Sequence, residues 1–304
     1  LDDARQADML IHVVDISGST DLQGQHVNVG SHDPREDIKF VEEEFDYWFK
    51  QILEREWQKL SKEIEKKSTK LADGITDRFS GLGVKVHEVH EILQSLGLLT
   101  KKPTEWNDSD ITKFAQMLRK KIKPMLIAAN KADLCKDLEI TNEIHRNREI
   151  VNCSAETELL LKKAAKANLI DYIPGNEKFV INKNVDISPQ QKEALNLVEN
   201  VLSKLNSTGI QTALNSAVFR VLKLIVVFPV EDETKLSNKD GEVLPDAKLL
   251  SENATAKNLA ETIHQDIAKG FLFAIDAKTK QRIGADHQLK NGDVIKIVSS
   301  LSRG

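Results

Sequence analysis

Apolar positions along this chain follow two rhythms, and the switch between them marks out its elements. Residues 9–14, 125–129 and 149–153 are short apolar runs that stop at polar residues, as the buried strands of a parallel sheet do. Between the first two runs, Ile38, Val41, Phe45, Trp48, Phe49, Ile52 and Leu53 recur every three or four positions, and Leu60, Ile64, Leu71 and Ile75 continue the spacing. That period belongs to helix, so the stretch is expected to form a helical hairpin or coiled-coil arm. Asp33-Pro34 gives it a start, with proline at the first turn and Glu36 and Asp37 at the positive end of the helix dipole. Gly81 and Gly83 break the pattern before helices over 84–96 and 108–121. The aromatic stripe of Phe45, Trp48, Phe49 and Trp57 has the spacing of core rather than of a ligand platform.

The helical period returns over 158–167, over 190–205 behind Ser188-Pro189, and over 209–222. The last segment is different. A β-rich run at 224–229, a hairpin turn at Lys239-Asp240-Gly241-Glu242 ahead of Leu244-Pro245, a helix over 255–267 and strands at 271–276, 281–283 and 294–298 follow a β-grasp order.

A chain of 304 residues has room for two or three domains, and 40% hydrophobic with 30% charged residues describes a soluble globular protein. No apolar run is long enough to span a membrane. Two cysteines, Cys135 and Cys153, suit a reducing cytoplasm and argue against a disulfide scaffold; both are expected as small buried residues, with a redox-sensitive pocket as the alternative. Charge is unevenly spread, since 50–123 holds sixteen Lys/Arg against eleven Asp/Glu in a chain of net charge −4. A basic helical segment suits contact with RNA phosphates; the alternative is a solvated face laced with i,i+4 pairs. From 221 onward basic and acidic residues balance at twelve each, and Lys278, Lys280 and Arg282 form a local cluster that is a candidate RNA contact or simply a soluble hairpin.

Candidate chemistry follows the second and third strands. Asn130-Lys131-Ala132-Asp133 sits at the carboxyl end of a strand, where parallel α/β sheets present their ligands. An Asp two residues past a Lys can accept hydrogen bonds from guanine N1–H and the exocyclic amino group, a donor pair that adenine lacks. The Lys131 stem would lie along the base plane, and Asn130 would tie the loop to neighbouring backbone. After the third strand, Ser154-Ala155-Glu156 brings a backbone N–H to guanine O6, which an adenine amino group would repel. In this order the two motifs predict a guanine pocket built from Asn130, Lys131, Asp133, Ser154 and Ala155, whereas the first alone leaves a polar loop with no ligand as the alternative. Gly18-Ser19-Thr20 lacks the G-x-x-x-x-G-K-[ST] pattern of a phosphate-cradling loop and is expected to be a turn. His12, His26 and His32 lie in the same region, but no Cys/His/Asp cluster has metal-ligand spacing.

Leu1-Asp2-Asp3-Ala4-Arg5-Gln6-Ala7-Asp8 followed by Leu10-Ile11-His12-Val13-Val14-Asp15 resembles the region after the second switch in the Obg-like, YchF-type GTPases. The likeness continues through His32-Asp33-Pro34-Arg35-Glu36-Asp37-Ile38, Asn130-Lys131-Ala132-Asp133, Lys163-Ala164-Ala165-Lys166 and Tyr172-Ile173-Pro174-Gly175. Leu244-Pro245 and Asn291-Gly292-Asp293-Val294 match the turns of a TGS domain. The resemblance implies a P-loop NTPase-type α/β G domain in two parts, 1–49 and 123–185, around a helical or coiled-coil insertion at 50–122. Connecting helices at 186–221 would lead to a TGS β-grasp domain at 222–304.

In that family a phosphate loop, a first switch and a D-x-x-G motif precede the point corresponding to Leu1. The expectation is therefore a GTP/GDP site, with ATP taken by some relatives, of which this chain holds the base-reading half; the phosphate-binding half and the Mg²⁺ ligands lie outside it. The parent protein would be a monomeric cytoplasmic GTPase coupled to ribosome or RNA association, and this chain alone would not hydrolyse nucleotide. The alternative is a non-enzymatic ribosome or RNA adaptor with a vestigial nucleotide site.

Overall fold

A computed structural model describes residues 2–67, 70–135, 138–145, 148–183 and 185–301, which form two compact units, Leu1–Ala217 and Val218–Gly304. The first unit opens with α1 (Asp2–Gln6) and β1 (Leu10–Asp15). Five helices follow: α2 (Pro34–Glu54), α3 (Trp57–Lys67), α4 (Leu71–Arg78), α5 (Val86–Ser95) and α6 (Asp108–Ile122). Local chemistry sets their starts. The Asp33 carboxylate caps α2 by accepting from the Arg35 N–H at 3.0 Å, and Asn107 caps α6 by accepting from Asp110 N–H at 3.0 Å. The helical period is not one continuous helix: α2 stops at Arg55 and the next residue, Glu56, sits in left-handed backbone with φ 57° before α3. The five helices pack around one core that includes Phe49, Leu53, Ile75, Phe79, Leu93, Phe114 and Leu118. Removing either fully buried ring, Phe49 or Phe114, costs about 3–5 kcal/mol by the usual scale for large-to-small core changes. Arg119 and Asp46, both largely buried and 2.7 Å apart, pin α6 to α2.

The chain then returns to the sheet with β2 (Met125–Asn130), α7 (Glu139–His145), β3 (Glu149–Asn152) and α8 (Ala155–Lys166). The strands are parallel in the order β1-β2-β3, with register running from Leu10 opposite Met125 to Asp15 opposite Asn130. Asp15, Asn130 and the residues after Asn152 therefore emerge at the same end of the sheet. β1 forms one edge, and Ile11 and Val13 on it are 39% and 62% exposed. A short hairpin, β4 (Ile170–Asp171) with β5 (Val180–Ile181), precedes α9 (Pro189–Leu205), which buries Leu195, Val198 and Leu202 against Leu161 and Ile170. The helix expected over 209–222 is divided into α10 (Ile210–Asn215) and a π-helical segment, Ser216–Val221.

The second unit contains β6 (Leu224–Pro229), β7 (Lys248–Ser251), α11 (Ala256–Ile263), α12 (Gln265–Lys269), β8 (Phe271–Asp276), β9 (Arg282–Ile283) and β10 (Asp293–Ser299). The sheet order is β7-β6-β10-β8-β9, with β6 and β10 parallel at its centre and the other pairs antiparallel. That is a β-grasp sheet with α11 on one face, its Leu259 and Ala260 fully buried. The Lys239-Asp240-Gly241-Glu242 turn lies within the connection between the adjacent antiparallel strands β6 and β7, and an antiparallel bridge from Ser237 to Val243 flanks it. It closes a small loop within 230–247, where the Glu242 N–H donates to the Asn238 side chain at 2.9 Å. Among the described residues no helix is long and apolar enough to cross a membrane.

Candidate functional site

Residues at the carboxyl ends of all three parallel strands meet in one place. Asn130 closes β2, and its Oδ1 accepts from the Ala155 N–H at 3.0 Å. The Ala132 N–H donates to the Cys153 carbonyl at 3.0 Å and the Cys153 N–H to the Ala129 carbonyl at 2.8 Å, so the loops after β2 and β3 are laced together by backbone. Ser154 is fully buried and works inward. Its N–H donates to the Thr208 carbonyl at 2.8 Å, and its Oγ caps α8, accepting from the Thr157 N–H at 3.4 Å. Ala155 is exposed, and the next amide, the Glu156 N–H, has no acceptor among the described residues.

Lys131 has left-handed backbone, φ 60°, which carries its side chain back over the end of β1. There its ammonium donates to Asp15 Oδ2 at 2.8 Å, Thr20 Oγ1 at 2.9 Å and Ser19 Oγ at 3.0 Å. The Asp15 carboxylate also accepts from the Ser17 hydroxyl at 2.6 Å and from the Ser19 and Thr20 hydroxyls at 2.7 Å each. Burial disfavours the charged form of Asp15, but the bond from Lys131 and those from Ser17, Thr20 and Ser19 outweigh it and hold the carboxyl well below the usual carboxylate range. Gly18 makes the cluster possible. With φ 61°, it lies so close to the His32 carbonyl that an added Cβ would stand 2.2 Å from that oxygen.

The remaining predicted residue, Asp133, is half-buried, and its carboxylate makes no hydrogen bond or ion pair among the described residues. The arrangement is thus a hydrogen-bonded frame of Asn130, Lys131, Ser154 and Ala155 beside an acceptor that has no partner among the described residues. Sequence reasoning missed the frame's far supports. Asp15 ends the first strand and Ser19-Thr20 lies in the expected turn at 18–20, and nothing in their spacing announces that they hold Lys131. Thr208 contributes a backbone carbonyl, which no side-chain pattern announces, and its hydroxyl donates to buried Glu158 at 2.6 Å. Gly209 follows with φ 79°, and a Cβ there would fall 1.9 Å from the Asn152 carbonyl oxygen.

Burial alone pushes the Cys153 thiol up to about 12, which makes it a packing residue. His12 is lowered by burial, partly offset by Asp37 and Glu42, and His32 Nε2 lies 2.8 Å from Asp37 Oδ2. Among the described residues no three His, Cys, Asp or Glu side chains gather as a metal site. In the second unit, Lys278, Lys280 and Arg282 do not converge. Lys278 Nζ donates to the Gly292 carbonyl at 2.6 Å, Lys280 Nζ donates to the Glu233 carbonyl, and the Arg282 guanidinium lies 3.5 Å over the Phe273 ring.

Comparison with known proteins agrees with this architecture. The profile of the Obg-like GTPase YGR210-like, G4 motif-containing domain matches residues 128–232, and that of the TGS domain matches 240–299. The GTP-binding protein MJ1332 of Methanocaldococcus jannaschii is 39% identical over 303 residues, covering 99% of this chain and 75% of its own length. The GTP-binding protein C428.15 of Schizosaccharomyces pombe is 30% identical over 275 residues, covering 86% of this chain and 66% of its own. Among solved structures, the crystal structure of a GTP binding protein from Pyrococcus horikoshii OT3 is 42% identical with a TM-score of 0.80, over 98% of this chain and 80% of that one. The Schizosaccharomyces pombe YchF GTPase shares the fold, with a TM-score of 0.53 at 14% identity over 98% of this chain and 74% of that one. The match to MJ1332 across nearly the whole chain, with the family's G4 and TGS domains in order, places this chain in the Obg-like, YchF-type family of GTP-binding proteins.

Proposed function

We propose that this chain binds the base of a guanine nucleotide between the loops at 130–133 and 153–156, as the base-reading half of a GTPase site. The observation that carries the reading is Asp133, a half-buried carboxylate with no partner among the described residues, beside a frame already fixed by Asn130, Lys131 and Ala155. Guanine supplies what that frame lacks. N1–H and the exocyclic amino group are two donors for Asp133, and O6 is an acceptor for the Glu156 N–H. Lys131 is held at its ammonium, so its methylenes form a fixed ledge for the base without further loss of side-chain freedom. Adenine presents an amino donor where O6 would be and lacks the paired donors, so GTP and GDP are preferred over ATP.

β1 is an edge strand among the described residues and the face of it that carries Ile11 and Val13 is open, which supports placing the phosphate-binding elements and the Mg²⁺ ligands on chain that packs there. Mg²⁺ there would neutralise phosphate charge, and no described residue of this chain is assigned to it. We further infer that nucleotide occupancy governs association of the parent protein with ribosomes or RNA in the cytoplasm, the basic helical insertion being its contact, and that the protein acts as a monomer. The test is calorimetric titration of this chain with GDP, ADP and guanosine. Saturable binding of GDP and guanosine but not ADP is expected; equal binding of ADP, or none of guanosine, rejects the base site.

A further inference from the structure

The β-grasp unit contains a groove of 1030 Å³ that no part of the nucleotide reading uses. Its floor is apolar, made by Val230, Ile263, Ile267 and Ile297, and Leu301 stands at its margin with 53% of its surface exposed. Glu231, Glu242, Asp246 and Asp266 line its rim, against Lys239 and His264 among the described lining residues, and Lys248 and Lys269 stand 3.8 Å from the Asp246 and Asp266 carboxylates in exposed, exchangeable pairs.

The rim is built rather than draped. Leu236 and Leu244 hold left-handed backbone, with φ 55° and 45°, in the loop that forms one wall. Left-handed backbone is unfavourable for a branched residue and persists where the surroundings enforce it, as binding segments often do. Here the Leu244 N–H donates to the Leu236 carbonyl at 2.9 Å, buried Ser237 bonds to Asp232, and the Lys239 N–H donates to Glu231 Oε2 at 2.8 Å. The Asn238 amide donates to Glu242 Oε2 at 2.7 Å, fixing that carboxylate on the rim. The opposite wall is the break between α11 and α12, where His264 Nδ1 accepts from the Asp266 N–H at 3.1 Å and turns the chain.

We propose that this groove docks a basic peptide segment of a partner protein, an extended stretch with one or two large aliphatic side chains flanked by Lys or Arg. The aliphatic side chains fill the floor, and the flanking cations meet Glu231, Glu242, Asp246 and Asp266. Carboxylates outnumber cations among the described lining residues, which favours a basic peptide over an RNA strand. The inference does not rest on the nucleotide site and stands or falls separately from it.

The test uses the full chain and labelled peptides of about twelve residues, long enough to cross the groove in extended form. One carries Lys/Arg flanks and a central Leu-Ile pair, a second has that pair replaced by Ser, and a third has acidic flanks; a single-stranded RNA of similar length is the fourth probe. Fluorescence anisotropy is expected to show saturable binding of the first peptide, weaker by about tenfold for the Ser peptide and on raising salt from about 50 to about 500 mM. Asp246→Lys with Asp266→Asn, both on exposed side chains, is expected to weaken the first peptide by about tenfold with an unchanged melting temperature. Amide shifts on binding should centre on Ile263, Ile267 and Ile297. Absence of binding, equal binding of the Ser peptide, indifference to the double substitution, or RNA competing for the same shifted residues overturns the proposal.

Discussion

Lys131 and Asp15 meet across the end of the sheet, Nζ to Oδ2 at 2.8 Å, although 116 residues separate them. That pair joins the loop after β2 to the loop after β1, and the Ser19 and Thr20 hydroxyls complete the shell around the ammonium. Its acid–base behaviour gives a first prediction. Because the folded pKa of Asp15 is depressed, its ionised form contributes stability that is complete above the ordinary carboxylate pKa of about 4 and is lost as pH falls below that value toward the folded one. Urea midpoints of wild type and Asp15→Asn should differ by the equivalent of about 1–3 kcal/mol at neutral pH, with the gap narrowing only below about pH 4. A gap that closes between pH 7 and 5 would place the effect elsewhere.

Asp133→Asn replaces the carboxylate acceptor with an amide. GDP affinity should fall about a hundredfold, since two hydrogen bonds to a charged acceptor are weakened, while xanthosine diphosphate, which presents a carbonyl where guanine has its amino group, should gain. Titration of both nucleotides with both proteins measures the exchange, and unchanged GDP affinity would remove Asp133 from the pocket.

Gly209→Ala tests the underside of the site. The new methyl would meet the Asn152 carbonyl oxygen at 1.9 Å in backbone already at φ 79°. Left-handed conformation alone costs a residue with a Cβ about 1–2 kcal/mol, and relieving the clash must push β3's end and the 208–209 turn apart. The expected outcome is a drop in thermal midpoint of several degrees together with lost guanosine binding; full binding would show that the loop at 153–156 stands without this support.

The cysteines offer a chemical readout. With its thiol pushed up to about 12 and 1% of its surface exposed, Cys153 should resist iodoacetamide at neutral pH until the protein unfolds, whereas partly exposed Cys135 should label in the native state. Peptide mass spectrometry after timed labelling distinguishes them. Rapid native labelling of Cys153 would contradict the packing around it.

Much of this architecture was legible because its signals are local. A strand that ends in Asn130-Lys131-Ala132-Asp133 announces both the strand and its loop, and Ser154 ahead of α8 is at once a cap and a motif residue. The β-grasp order was legible for the same reason. What could not be read is where the chain turns without a marker. Arg55 and Glu56 end α2 with no glycine or proline, so the helical period runs on across a corner and does not mark where α2 gives way to α3. The turn at 239–242 is marked in the sequence, but the length of the connection around it, 230–247 between the paired strands β6 and β7, is not. Lys131's partner at Asp15 and the Thr208 carbonyl under Ser154 arise only when distant segments meet, and the second is a backbone group with no sequence signature.

The bond from the Ser154 N–H to the Thr208 carbonyl has a kinetic corollary. Ser154 and Gly209 are both locked on the end of β3, and the Gly209 carbonyl in turn accepts from the Ala213 N–H at 2.8 Å. Segments far apart in sequence therefore form one opening unit. In native-state hydrogen exchange the amides of Ser154 and Ala213 should share a single opening free energy, so that the start of α8 and the start of α10 unlatch together or stay shut together.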